Sequence, residues 1–312
     1  MAEASPRAVV LGSAHMDLIA SAPRLPGAGE SIAGESFGAV PGGKAANQAV
    51  QLAAMGVSVE LVTRLGNDGF GREIGAALGR RGVGLDHVAR DFDHATGAST
   101  VFAASGDYAS IIVPGAAAHL SAVDVSRAAP VIAGAGALLL QLETPAEVSA
   151  EAARIAARAG TQVVLNAAPA PAGPGAVPAA LWQAVDVLAV NGAEAAALLG
   201  RPVAAENAPT AVVELGEGLG IATVLLTLGA EGIIARHGGE VVHQPAFPAT
   251  VADAVGAGDA FLATFVAAGL AGHPFAAALR RGAAAGALAV GLAGALPSLP
   301  ERDEVEAFLA RL

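Results

Sequence analysis

The stretch VDVLAVNGAEAAALLG, residues 185–200, passes from a short run that is apolar on both faces, through Asn191, into an alanine-rich segment of helical length. The pattern returns elsewhere. AVVLGS (8–13), VELVTRLG (59–66), ALLLQLE (137–143), TQVVLNAAP (161–169) and TVLLTLG (223–229) also end in glycine or a polar residue, and most lead into a similar segment. Strands apolar on both faces, alternating with helices, predict an α/β sandwich: a mainly parallel sheet covered on both sides. Such sheets bind ligands beyond the carboxyl ends of their strands, which singles out Ser13, Glu143, Asn166, Asn191, Thr227 and Gly229.

Two segments break the pattern. ESIAGESFGAV (30–40) and GASTVFAASGDYASIIV (97–113) read as strand and hairpin pieces, with turn signals at Ala33-Gly34 and Ser105-Gly106-Asp107. They predict one small β lid over the active edge of the sheet, or else ordinary surface hairpins. GIIARHGGEVVHQPAF (232–247) predicts a further hairpin turning at Gly238-Gly239, and helices are expected over about 256–271, 274–292 and 301–311. The proline- and glycine-rich stretch 168–178 reads as a loop within one unit.

Composition narrows the function classes. The 312 residues are 54% hydrophobic, enough for a large core. A net charge of −11, with no basic run and few aromatic residues, argues against nucleic-acid binding. The mean hydropathy of +0.57 comes largely from alanine. The most apolar stretch, 282–297, is interrupted by Gly286, Gly291 and Gly294 and reads as a buried helix rather than a membrane span. The N-terminal residues do not have the pattern of a signal peptide, so a cytoplasmic location is expected. With no cysteine there is neither disulfide nor thiolate chemistry. The histidines at 87, 94, 119, 237, 243 and 273 lack zinc-ligand spacing and read as surface or loop residues.

Chemistry concentrates in DAVGAGDAF (253–261). Gly256, Ala257 and Gly258 would let backbone N–H groups approach an anion at a helix N-terminus, and Asp259 could accept a proton there. Asp259 could equally be a structural cap in the first helical turn. In PGGKAANQA (41–49), Gly42 and Gly43 offer unobstructed amides, Lys44 a cation and Asn47 a two-way hydrogen-bonding group, a set suited to a polyhydroxylated ligand. Ala45 stands where a Walker A loop needs Ser or Thr, which argues against a P-loop. Asn191 and Glu194 could organise hydrated magnesium around nucleotide phosphates, or form a capping box. Thr227 and Gly229 follow a buried strand and could meet a nucleotide. GAGDAF (256–261) and GNDGFG (66–71) do not fit a dinucleotide fingerprint.

Taken in order, LGSAHMD (11–17), PGGKAANQA (41–49), QLE (141–143), LNAAPA (165–170), VNGAE (190–194), LLTLG (225–229), DAVGAGDAF (253–261) and ALPSLP (295–300) resemble the ribokinase group of the PfkB carbohydrate kinases. That resemblance implies one ribokinase-like α/β domain over 1–312, with lid segments inserted at about 14–40 and 96–115. It implies transfer of the ATP γ-phosphate to a sugar hydroxyl, D-ribose giving ribose 5-phosphate, with magnesium and a monovalent cation, potassium. Asp259 would be the base and the amides of Gly256, Ala257 and Gly258 the anion hole. His15, Asp17, Gly42, Gly43, Lys44, Asn47 and Glu143 would surround the sugar. Asn191, Thr227, Gly229 and Gly258 would serve ATP, and Glu194 magnesium indirectly. Asp253, Ser298 and the backbone near Val255, Ala289, Leu292 and Gly294 would hold the monovalent cation. A homodimer through the lid is also expected.

Two residues depart from the ribokinase pattern: His15 replaces the usual Asn two residues before the sugar-binding Asp, and Ala45 replaces the glycine after the lysine of GGK. They leave open a related kinase of 2-deoxyribose, fructose or another ketose, 2-keto-3-deoxygluconate or a nucleoside. A non-catalytic sugar or nucleotide sensor is the alternative of a different class, against which the base in the anion hole argues.

Overall fold

The computed structural model describes residues 6–104 and 107–312. Its strands are β1 (Arg7–Leu11), β2 (His15–Ser21), β3 (Ser36–Gly42), β4 (Ser58–Gly66), β5 (Val88–Asp91), β6 (Thr96–Ala104) and β7 (Asp107–Gly115), followed by β8 (Ala137–Leu140), β9 (Gln162–Asn166), β10 (Val187–Asn191), β11 (Thr223–Thr227), β12 (Ile233–His237) and β13 (Glu240–Gln244). The helices are α1 (Lys44–Ala54), α2 (Gly69–Arg80), α3 (Ala122–Ala133), α4 (Ala146–Ala159), α5 (Ala179–Trp182) and α6 (Gly192–Leu199), then α7 (Ala208–Leu219), α8 (Ala257–Leu270), α9 (Phe275–Ala289), α10 (Ala295–Ser298) and α11 (Arg302–Leu309).

All six both-face apolar runs are strands of one nine-stranded sheet, ordered β13-β12-β11-β10-β9-β8-β1-β4-β5. It is parallel from β11 to β5, with β12 and β13 antiparallel at one edge. Alternation within β1 sends Ala8 and Val10 into one apolar layer and Val9 and Leu11 into the other. The first layer is completed by α1, α8 and α9, the second by α3, α4 and α7. Each fully buried leucine in these layers contributes about 1.5–3 kcal/mol relative to its exposed state. β1 lies between β4 and β8, so the chain leaves β1 in one direction and later returns on its other side. That reversal opens a crevice beyond the strand ends.

The second sheet has four strands in the order β3-β2-β6-β7. Its hairpin β6–β7 occurs as expected, although the turn signal at Ser105-Gly106-Asp107 lies partly outside the described residues. The hairpin expected within 30–40, turning at Ala33-Gly34, does not form. Instead β3 pairs antiparallel with β2 from His15↔Gly42 to Ser21↔Ser36, a longer ladder than residues 30–33 could offer. The connecting loop turns at Ala28-Gly29, with Gly29 at φ 78°, and the Arg24–Glu30 ion pair closes it. The hairpin at Gly238-Gly239 is present, both glycines having positive φ. The stretch 282–297 is not one helix: α9 ends at Ala289, and the chain reverses through Gly294 (φ 82°) into α10. The carbonyl of Val290 explains the break, since it accepts the N–H groups of Ala252 and Asp253. Among the described residues no helix is long and apolar enough to cross a membrane.

Candidate active site

His15 and Asp17 project from the same face of β2, two residues apart, and Ser99 of β6 lies in register with Asp17. His15 Nε2 lies 3.0 Å from Asp17 Oδ1, and the Ser99 hydroxyl donates to that same oxygen. Gly42 is required beneath this group, because a Cβ there would meet Asp17 Oδ2 at 2.1 Å. Gly43, at φ 99°, leads into α1, and a Cβ on it would lie 2.8 Å from the backbone of Ala14 and Ser13. The glycine pair therefore serves the close approach of β2 and the β1–β2 loop as much as any ligand. Ala45 is fully buried against Gly12 and turns into the core.

Lys44 opens α1 with a positive charge at the helix end where a cation is least favoured. Four carboxylates offset that cost. Burial on its own depresses the Lys44 ammonium, but Asp259, Glu143, Glu194 and Asp17 together hold it above the ordinary lysine range. Glu143, beyond β8, accepts from the Ser13 hydroxyl beyond β1 and from the Lys44 N–H at 3.2 Å, while Lys44 Nζ lies 3.9 Å from its other oxygen. The crevice at the strand reversal is thus tied together by Ser13, Lys44 and Glu143.

Asp259 does not cap its own helix. α8 begins at Gly256 in the left-handed region, without a side-chain cap. The buried Asp259 carboxylate instead crosses to α1, accepting from Asn47 Nδ2 and from Gln48 Nε2, each at 2.9 Å. Burial is the main influence raising its pKa, reinforced by Glu143, while Lys44, Asn47 and Gln48 pull it back. At the start of α8 the N–H groups of Gly256, Gly258 and Asp259 have no backbone partner among the described residues, and that of Ala257 makes only a 3.3 Å turn contact with Ala254. A Cβ on Gly258 would meet nothing within 4 Å, so this glycine borders open space.

Asn191 and Thr227 are in-register neighbours at the ends of β10 and β11. The capping box is formed: Asn191 accepts from the Glu194 N–H at 2.9 Å, and Glu194 accepts from the N–H and Nδ2 of Asn191. Glu194 is buried, which raises its pKa, and it lies within electrostatic reach of Lys44 and Asp259. Capping leaves it at the same crevice. Gly229 (φ 56°) is exposed beyond β11 with open space around it. Of the six residues expected around a monovalent cation, Asp253 and Val255 lie in the loop before α8, Leu292 and Gly294 in the loop between α9 and α10, and Ala289 and Ser298 at the last positions of α9 and α10. Asp253 accepts from the Val255 and Gly294 N–H groups at 3.0 and 2.9 Å, and Ser298 donates to the Ala295 carbonyl. The Ala289 carbonyl makes only a long contact, 3.4 Å, with the Leu292 N–H.

The sequence model for pfkB family carbohydrate kinases matches residues 5–302. The chain belongs to that family. This pfkB kinase is 35% identical over 301 residues to a ribokinase of Haemophilus influenzae, covering 96% of this chain and 97% of that one. It is 28% identical over 302 residues to a deoxyribokinase of Salmonella typhi, covering 96% and 98%. The structure of an Arabidopsis thaliana ribokinase complexed with ribose and ATP superimposes with a TM-score of 0.88 at 34% identity, covering 98% of this chain and 99% of that one.

Three site residues of the pfkB kinase were not singled out for a role by its sequence: Gln48, Ser99 and Gln141. Gln48 left a trace. Asn47, Gln48 and Gln51 are three amides in a helix that is otherwise apolar after Lys44, and all three are buried. Ser99, in a strand with mixed surroundings, left none.

Proposed function

We propose that this pfkB kinase transfers the γ-phosphate of ATP to O5 of D-ribose. The observation that carries this reading is the pairing of a buried carboxylate, Asp259, with free N–H groups at the start of its own helix. Asp259 accepts the proton of the sugar hydroxyl as its oxygen attacks the γ-phosphorus, and the bond from that phosphorus to the β-phosphate oxygen breaks to release ADP. The N–H groups of Gly256 and Gly258 face the charge of the transferring group. Lys44, Asn47, Glu143 and Asp17 orient the sugar, and the four-stranded sheet covers it as a lid belonging to the same domain.

Asn191, Thr227 and Gly229 serve the nucleotide. Among the described residues there is no cluster of acidic or histidine side chains that would enclose a divalent ion. This donor set fits magnesium that keeps its waters and phosphate ligands, with Glu194 at one remove. Magnesium would supply charge neutralisation on the phosphate oxygens. Asp253, Ser298 and the carbonyls of Val255, Ala289, Leu292 and Gly294 fit a monovalent cation beside the anion hole, potassium by our reading. We place the reaction in the cytoplasm.

A coupled assay of ADP release tests the function against ribose, 2-deoxyribose, fructose, fructose 6-phosphate, 2-keto-3-deoxygluconate and nucleosides, with magnesium, with and without potassium. The expected outcome is highest kcat/KM for ribose and a rise with potassium; no turnover with any of them would favour a sensor. A second reading, 2-deoxyribose, draws on one observation. Asp17 Oδ1 already faces both His15 and Ser99, leaving Oδ2 for the sugar, so a missing hydroxyl forfeits less than at an unoccupied carboxylate.

We also propose a homodimer through the lid, whose Phe37 (72% exposed), Phe102, Ile111 and Val113 lie on one face of the four-stranded sheet and form an apolar surface unusual for a monomer. Light scattering should give the mass of two 30.3 kDa chains, and Ile111→Asp should halve it. A monomeric parent protein at 50–100 µM, roughly the range where weak dimers form, would end this proposal.

A further inference from the structure

We propose that Gln48, backed by Gln141, is a positioning residue for Asp259 that aims its carboxylate and holds it ionised between turnovers. This deepens the reading of Asp259 as the base and rests on it. An ionised carboxylate only accepts hydrogen bonds, so Asn47 and Gln48, the two α1 amides bonded to it, must turn their NH2 groups toward it. Asn47 Nδ2 donates to Asp259 Oδ2 and Gln48 Nε2 to Oδ1, each at 2.9 Å. The Gln48 oxygen then faces away and accepts from Gln141 Nε2 at 2.6 Å. Both glutamines are fully buried, so no water competes for these contacts.

The far ends of the chain reveal what sets its direction. Gln141 Oε1 and Asn47 Oδ1 are buried and have no hydrogen-bond partner among the described residues. An amide network serving packing alone would be expected to pair its ends, because an unpaired buried oxygen is costly. Reversing Gln141 would set its oxygen against that of Gln48, and reversing Gln48 would set an oxygen against the Asp259 carboxylate. The direction of the chain is therefore the one an ionised Asp259 demands. Gly12 makes room for it: a Cβ there would lie 1.9 Å from Gln141 Oε1. The other charged groups facing Asp259 are Lys44 of α1, Glu143 beyond β8 and Glu194 of α6. Lys44 favours the ionised carboxylate, and the two glutamates oppose it.

The test compares the parent protein with Gln48→Leu, Gln48→Glu, Gln141→Leu and Asp259→Asn, measuring kcat, KM and their pH profiles with ATP and the accepted sugar. Carbon-13 NMR of carboxyl-labelled aspartate reads the Asp259 titration without turnover. For Gln48→Leu, kcat should fall about 10-fold with both KM values within about threefold, and the acidic limb of the kcat profile should move up by about half a pH unit or more. Gln48→Glu preserves size and sets a second carboxylate against Asp259, so it should move the limb furthest and remains the test if the leucine variant misfolds. Gln141→Leu should move the limb in the same direction by less. An unmoved limb and an unmoved Asp259 titration in both Gln48 variants would overturn the inference, even if kcat fell along with thermal stability. Retained turnover in Asp259→Asn would instead remove the base itself, and this inference with it; lost turnover there with unmoved Gln48 limbs would remove Gln48 alone.

Discussion

Asp259→Asn is expected to lower kcat by roughly 10²–10⁴-fold, the usual range for losing a general base, with sugar and ATP binding retained. The substitution conserves shape and removes only the proton acceptor. An asparagine at 259 would bring an NH2 group against either Asn47 or Gln48, but Asn47 can accommodate it by rotating its amide, because its Oδ1 has no partner to lose among the described residues. Thermal stability should not fall. Burial raises the pKa of Asp259 in the folded state above its unfolded value. An acid shifted in that direction opposes folding above its unfolded pKa, and the penalty is relieved as pH falls through the folded pKa. Near neutral pH the parent protein carries that penalty and the asparagine variant does not, so its Tm should equal or exceed the parent's. The same shift places the acidic limb of the parent's kcat profile above the ordinary aspartate range. Unchanged turnover in Asp259→Asn would remove Asp259 as the base.

Gly258→Val should be the counterpart, a loss of activity of roughly 10²–10³-fold, as when an oxyanion-hole donor is lost, without a loss of fold. Gly258 lies in the first turn of α8 with a helical backbone, and a Cβ there meets nothing within 4 Å. A valine would therefore project into the space beside the free N–H groups and exclude the transferring phosphoryl group. Valine has a higher intrinsic helix propensity than glycine, by less than about 1 kcal/mol, so Tm should not fall and should change by no more than about 3 °C. Gly256 could not report this separately: at φ 84°, with Ala295 only 3.0 Å from a would-be Cβ, substitution there would strain the backbone as well. Full activity in Gly258→Val would move the phosphoryl site away from the start of α8.

The parallel sheet was legible because its cause is local. A strand covered on both faces must be apolar at every position, and AVVL, ALLL and TVLLT announce that without reference to anything distant. The β2–β3 pairing was less legible: the loop from 22 to 35 contains Gly27, Gly29 and Gly34, and only the ladder between β2 and β3 decides among the turn signals. At the site, DAVGAGDAF and PGGKAANQA carried their chemistry openly, since small residues beside a carboxylate or a lysine imply close backbone approach to an anion or a sugar. Their mutual arrangement was hidden. Gln48 and Asp259 are 211 positions apart, and nothing within either segment says that one faces the other.

The sequence by itself determined the α/β class, the segments that carry the chemistry and the family, because burial on both faces of a strand and the chemistry of short motifs are properties of neighbouring residues. Only the tertiary structure decided that Asp259 bonds to α1 rather than capping α8, that His15 and Ser99 share one oxygen of Asp17, and that Lys44 stands among four carboxylates. Hydrogen-bond direction, burial and electrostatic field depend on groups brought together from distant parts of the chain, and those quantities set the ionisation of a base and the reach of a pocket.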